Sequence, residues 1–178
     1  MKTKLNYAVW CGILALAATG ALARAAGPTD PQIAAIVVTA NQVDIDAGKF
    51  AASKSHSKDV KDFAQLMITD HSGVNKSATE LVQKLHVTPE SNDTSQSLQK
   101  GGDDNLAALK KLTGSEFDRA YVDHEVVYHQ AVLDAVDTTL IPNAQNAELK
   151  ALLVKVRPAF LAHLEHAKHL QSSLKNGA

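Results

Sequence analysis

Cysteine and tryptophan each occur once in this chain of 178 residues, as Cys11 and Trp10, and aromatic residues make up only 4% of it. Both rare residues lie inside the uncharged run from Ala8 to Ala23, behind the basic start of Lys2 and Lys4. That run of 16 residues is shorter than the roughly 20 a membrane-spanning helix needs. It closes on Ala21-Leu22-Ala23 and continues into Ala23-Arg24-Ala25, both Ala-x-Ala cleavage patterns, so residues 1–26 read as a cleavable signal peptide with its processing region. Cys11 stands within the run rather than at its end, which argues against lipidation. The expected mature chain, 27–178, then has no cysteine, and disulfide and thiol chemistry are excluded. An oxidising compartment, periplasm or cell envelope, fits such a chain.

Excess charge of one sign is also missing. Lysine and arginine number 18 against 19 acidic residues, and loss of Lys2 and Lys4 makes the remainder more acidic. Without a basic cluster there is no electrostatic footprint for nucleic acid or for an anionic membrane surface. The partners left open by this composition are an envelope protein or a second copy of the chain. No alternating pattern of the kind a strand needs occurs.

What the chain does have is helical periodicity. Asp30, just ahead of Pro31, reads as an N-cap. Ile33, Ile36, Ala40, Val43, Ala47 and Phe50 then step along one face of a first helix. A second helix is expected from about Lys58 to His86, carrying Val60, Phe63, Met67, His71, Val74, Ala78, Leu81 and Leu85, and ending before Thr88-Pro89. Ser95 to Leu112 is weakly helical and interrupted by Gly101-Gly102, so a short or broken crossover helix is expected, with Asp103-Asp104 in a loop. A third long helix opens at Gly114-Ser115, Ser115 capping, and runs through Val122, Val126, His129, Leu133, Val136 and Leu140 to a stop at Pro142-Asn143. The last takes Leu149, Leu152, Val156, Phe160, His163, Ala167, Leu170 and Leu174, with Pro158 inside it as a source of a kink. Two short turns and one long connection predict an all-α, antiparallel four-helix bundle of ferritin-like type, in a single domain.

Several short segments bear a resemblance in their order and spacing. Val43 to Ala51, with Asp44 and Asp46, lies on the first helix, Asp70-His71 on the second, Ser115 to Tyr121 opens the third, and His163-Leu164-Glu165 lies on the last. Together they resemble the exported bacterial family known as domain of unknown function 4142, over roughly Asp30 to Leu170. The resemblance implies a ferritin-like fold and an exported location, and its polar positions map onto His71, Asp118, Tyr121, His129 and His163. It implies no activity.

The chemistry turns on three histidines. His71, His129 and His163 each stand in the middle of an apolar stripe and so point inward, where an unpaired ring is costly. A di-iron bundle needs Glu-x-x-His on two helices. The positions three before the eight histidines hold Ser53, Ile68, Gln83, Tyr121, Val126, Phe160, His163 and His166, none acidic. No nucleophile arrangement and no phosphate-binding loop is present either, so nothing in the chain spells out an enzyme.

Two readings of the histidines follow. In the first, helices three and four meet at about Pro142, which sets His129 level with about Lys155, eight residues or roughly 12 Å from His163. His163 is then level with Tyr121, and a buried hydrogen-bond cluster of Asp118, Tyr121 and His163 is expected, with no cofactor. That makes the chain a non-catalytic envelope bundle acting by binding or protection under stress. In the second, His71, His129 and His163 with Asp44 hold a divalent transition metal, zinc, copper or nickel. His163, His166 and His169 rotate by about 60° from one to the next and fan across a surface rather than converge.

Overall fold

The computed structural model describes residues 27–176, so the expected signal peptide lies outside the described residues. Five long helices account for nearly all of that span, and no strand occurs among the described residues. They are α1 (Asp30–Lys54), α2 (Lys58–Lys84), α3 (Asp93–Leu109), α4 (Gly114–Ala135) and α5 (Ala147–Asn176). α4 does not stop at Ala135. It continues through one π-helical turn, Val136–Leu140, and a short helical turn, Ile141–Asn143. None of the described helices is long and apolar enough to cross a membrane.

Local chemistry explains most of the boundaries. Thr29, not Asp30, takes the cap of α1, and its backbone N–H donates to the Gln32 side chain at 3.1 Å. Asp30 instead reaches across to the far connection, where its carboxylate accepts from the backbone of Gln145 (2.9 Å) and Asn146 (2.8 Å). Asn146 in turn caps α5 by accepting from Glu148 and Leu149. One acidic side chain thereby joins the starts of the first and last helices, and its charge suits the positive end of α5. Ser57 caps α2. That helix closes at Leu85 with His86 in the left-handed region (φ 53°), before Thr88 and Pro89 are reached.

The crossover helix departs from the sequence expectation. α3 is a continuous 17-residue helix capped by Asn92, and Asp103 and Asp104 lie on it rather than in a loop. Gly101-Gly102 does not break it, because Gly102 is where α3 presses on α1: a Cβ there would meet Val43 Cγ1 at 2.7 Å. Gly101, one residue earlier, faces open space. At the start of α4, Thr113 occupies the cap and Gly114 takes a left-handed φ of 57°, which displaces Ser115 from the expected capping role. Pro158 lies inside α5, which runs through it as one helix.

α1 packs chiefly on α2 and α3, and α4 chiefly on α5. Being covered from several sides, α1 is buried around most of its girth and carries small residues, Ala34, Ala35, Ala47, Gly48 and Ala51, where neighbours approach. The apolar core has two large parts and a small one of Leu133, Phe160 and Leu164. Of the large parts, one gathers Phe63, Met67, Phe117, Tyr121 and Leu170, and the other gathers Ile33, Ile36, Leu140, Leu149 and Leu153. Between them in sequence, on α1, α2, α4 and α5 alike, lie buried polar residues: Asn41 and Asp44, His71, Glu125 and His129, and His163.

Candidate functional site

The polar layer is built from one helical turn of each of four helices. His71, His129 and His163 come from α2, α4 and α5, and their ring centroids form a near-regular triangle of 5.5, 5.2 and 5.4 Å. One nitrogen of each ring lies within 4.8 Å of one from each of the others. Asp44 and Glu125, wholly buried, form with His129 a second group of potential ligand atoms within the same distance.

The outward nitrogen of each ring is already engaged. His71 Nδ1 is 2.7 Å from Asn41 Oδ1. The Asn41 amide is itself oriented by donating from Nδ2 to the carbonyl of Val37 at 2.7 Å, so its oxygen must accept and His71 Nδ1–H must donate. His129 Nδ1 donates to the carbonyl of Glu125 at 3.1 Å. His163 Nε2 donates to Asp70 Oδ2 at 2.9 Å. In neutral rings these bonds leave lone pairs on His71 Nε2, His129 Nε2 and His163 Nδ1. All three of these atoms are buried and have no hydrogen-bond partner, whereas the buried carboxyls of Asp44 and Glu125 lie close enough to share a proton. Buried polar atoms are nearly always paired, so this concentration is unusual for an inert core. His71 Nε2 also stands 2.5 Å from Asp44 Oδ2. Two acceptors that close repel unless a proton or a metal ion stands between them.

The electrostatics of the layer are uneven. Burial pushes the Asp44 carboxyl up, but His71 and then His129 outweigh it and hold the group below its ordinary range. Glu125 is driven well above its ordinary value by burial and by the neighbouring charge of Asp44. Burial lowers the His163 imidazole, reinforced by the other two rings and opposed by Asp70, which favours the neutral form a metal would require. Tyr121 and Tyr128 are raised well above the usual phenol range by burial and by the two acids.

The structure overturns the register expected from the sequence. His129 and His163 are neighbours, not eight residues apart in level. Helix does end at Asn143, where Pro142-Asn143 signals a stop, but α5 begins only at Ala147, so the α4–α5 connection is centred near Gln145 rather than at Pro142, and the π-helical turn adds to the shift. The pairs Asp137–Arg157 and Asp123–Gln171 lie in this same register. The predicted bond from His163 to Tyr121 or Asp118 is accordingly replaced by the bond to Asp70. Tyr121 is buried near Glu125, and its hydroxyl has no hydrogen-bond partner. Asp118 is buried but makes no bond to the histidines. Asp44 is central, whereas Asp46 is at the surface with Gln42. His166 and His169 are exposed while His163 is buried, so that trio does fan outward.

Asn41, Asp70 and Glu125 were not among the residues expected at the site. Glu125 precedes His129 by four positions, which puts the two on one helix face as surely as a spacing of three does. A search at i−4 would have found it. The other two betray themselves only through tertiary contacts.

Fold and layer together define an all-helical protein with a buried histidine–carboxylate centre. The chain belongs to the family DUF4142, a domain of unknown function, whose model matches residues 15–170. Among solved structures it is similar to CopM in the Cu(II)-bound form, at 17% sequence identity and a TM-score of 0.63, covering 83% of this chain and 98% of that one. At that identity the likeness extends to the fold. No curated protein is matched by this chain.

Proposed function

We propose that this chain is an exported, periplasmic or cell-envelope protein that binds a divalent transition metal, zinc, copper or nickel, in the centre of an antiparallel, ferritin-like four-helix bundle. α1, α2, α4 and α5 are the bundle helices in this reading and α3 is the crossover. Short α1–α2 and α4–α5 connections with a long return between them support that arrangement. Residues 1–26 serve as the signal peptide of the single domain 27–178.

The observation that carries the metal reading is the convergence of three buried imidazoles, one nitrogen of each within 4.8 Å of the others, each ring having one nitrogen bonded and the other without a partner. Fixing the far side of a ring on a carboxylate or carbonyl is how proteins orient histidine ligands. His71, His129 and His163 would supply nitrogen, and Asp44, held ionised, the oxygen. Such a set suits zinc, copper(II) or nickel. The Cu(II)-bound neighbour of the same fold is consistent with it. No catalytic step is proposed.

Thermal melts of untagged protein test the idea. With metal at a hundredfold excess over its Kd, linkage predicts about 2.7 kcal/mol of added stability over chelator-treated protein. That gain is expected to vanish in His129→Ala and in His163→Ala, and to survive a His166→Ala/His169→Ala double variant. Loss of the gain only in the surface double variant, or no metal found by elemental analysis of protein exposed to all three ions, would leave the polar layer as a structural core.

A further inference from the structure

Beside the histidine layer lies a cavity of about 130 Å³ whose wall is almost wholly carbon. Every long helix contributes to it, with Ile36 on α1, Leu98 on α3, Val132 on α4 and Leu153 on α5 among the lining residues. Polar groups in the wall are few and mostly spoken for. Asn41 and His71 bond each other, and the Tyr128 hydroxyl donates to the carbonyl of Ala40 at 2.8 Å. An anionic guest would find no lysine or arginine in the wall to offset its lost hydration. An apolar one gives up only its contact with water.

The size is informative. An engineered apolar cavity of about 150 Å³ stays dry and takes up benzene. Access is also visible, because Thr94 on α3 and Ala131 on α4 are exposed at the lining's edge while His71 and His129 are buried within it. Finally, the π-helical turn that ends α4 supplies Val136 and Leu140 to the wall. Such turns are rare and concentrate at functional sites. Here the turn stands where a regular helix would shift both side chains.

We infer that this cavity is a binding site for an uncharged apolar molecule about the size of one aromatic ring, admitted between α3 and α4 and seated beside the rings of His71 and His129. The site is formed by the apolar wall and does not require an ion in the histidine layer, so it stands or falls separately from the metal reading.

Toluene titrated into isotope-labelled full-length protein, with and without chelator, provides the test. Saturable shifts are expected in the His71 and His129 ring signals and the Val136 and Leu140 methyls, with direct Overhauser contacts from toluene to those methyls. Sodium benzoate, of similar shape but charged, is expected to give none. Ala135→Phe on α4 and Ala40→Leu on α1, which each add bulk at a lining position, should each abolish the toluene response while keeping the helical circular dichroism. If neither variant folds, the contacts in the unaltered protein decide alone. Absence of saturable shifts with toluene, persistence of binding in a folded filled variant, or equal binding of benzoate would overturn the inference.

Discussion

Glu125 and Asp44 share one buried site and are pushed to opposite states, and this has a consequence for stability. Glu125 is raised well above its ordinary value of 4.5 by burial and by Asp44. Above about that pH the unfolded chain releases the proton while the folded chain keeps it. The folded state then binds more protons, and stability falls as pH rises, by at most about 1.4 kcal/mol per pH unit for this group. Asp44 works the other way: with its folded value lowered, its contribution is present above its ordinary 3.8 and is lost as pH falls below that. Glu125→Gln keeps the shape and the neutral state but binds no proton in either state. In chelator-treated protein the variant should therefore match the unaltered chain near pH 5 and become progressively more stable than it toward pH 8. Urea unfolding across that range checks the sign, and a constant difference between the two proteins would show that Glu125 is ionised in the folded state.

At the scale of the elements, α3 offers a paired test from two adjacent glycines. Gly101→Ala adds a methyl into open space and removes the entropic penalty of glycine in a helix, a gain of about 0.5–1 kcal/mol. Gly102→Ala drives its methyl into Val43, where contacts of 2.7 and 2.8 Å leave no room. A cost of about 1–3 kcal/mol is expected from that overpacking. Chemical denaturation of the two variants should move in opposite directions, and a similar effect at both would mean that α3 does not lie on α1 as described. The same glycines show how far the sequence could be read. The stripes of α1, α2, α4 and α5 were legible because apolar residues at three- and four-residue steps report burial directly. A glycine pair reports either a break or a close approach, and only the neighbouring Val43 decides between them. Register was illegible for a similar reason. Pro142 signals the helix end correctly, but neither the centre of the connection that follows, which reaches to Ala147, nor the π-helical turn before it can be read from the sequence, and each residue by which the centre moves shifts the facing levels by two. The histidines could therefore be seen to face inward, while their meeting could not.

For the molecule as a whole, the proposed division between a cleaved leader and the helical domain makes the final prediction. The buried core of the described residues runs from Ile33 to Leu170. Thr29 caps α1, and Asp30 ties that end to the start of α5. The folded unit thus takes shape just after the Ala-x-Ala patterns, and cleavage after Ala23, Ala25 or Ala26 would leave these bonds in place. Processing there also removes both Trp10 and Cys11. Protein recovered from the envelope fraction of its native host should therefore have an intact mass that excludes both residues. It should lack tryptophan emission, and its thermal midpoint should be unchanged by a thiol reductant, since it has no disulfide to lose. Far-UV circular dichroism of that same sample should be dominated by helix and should melt in one cooperative step. A mass that retains Trp10 and Cys11, together with tryptophan emission from the pure sample, would show that the apolar run stays attached and acts as an anchor.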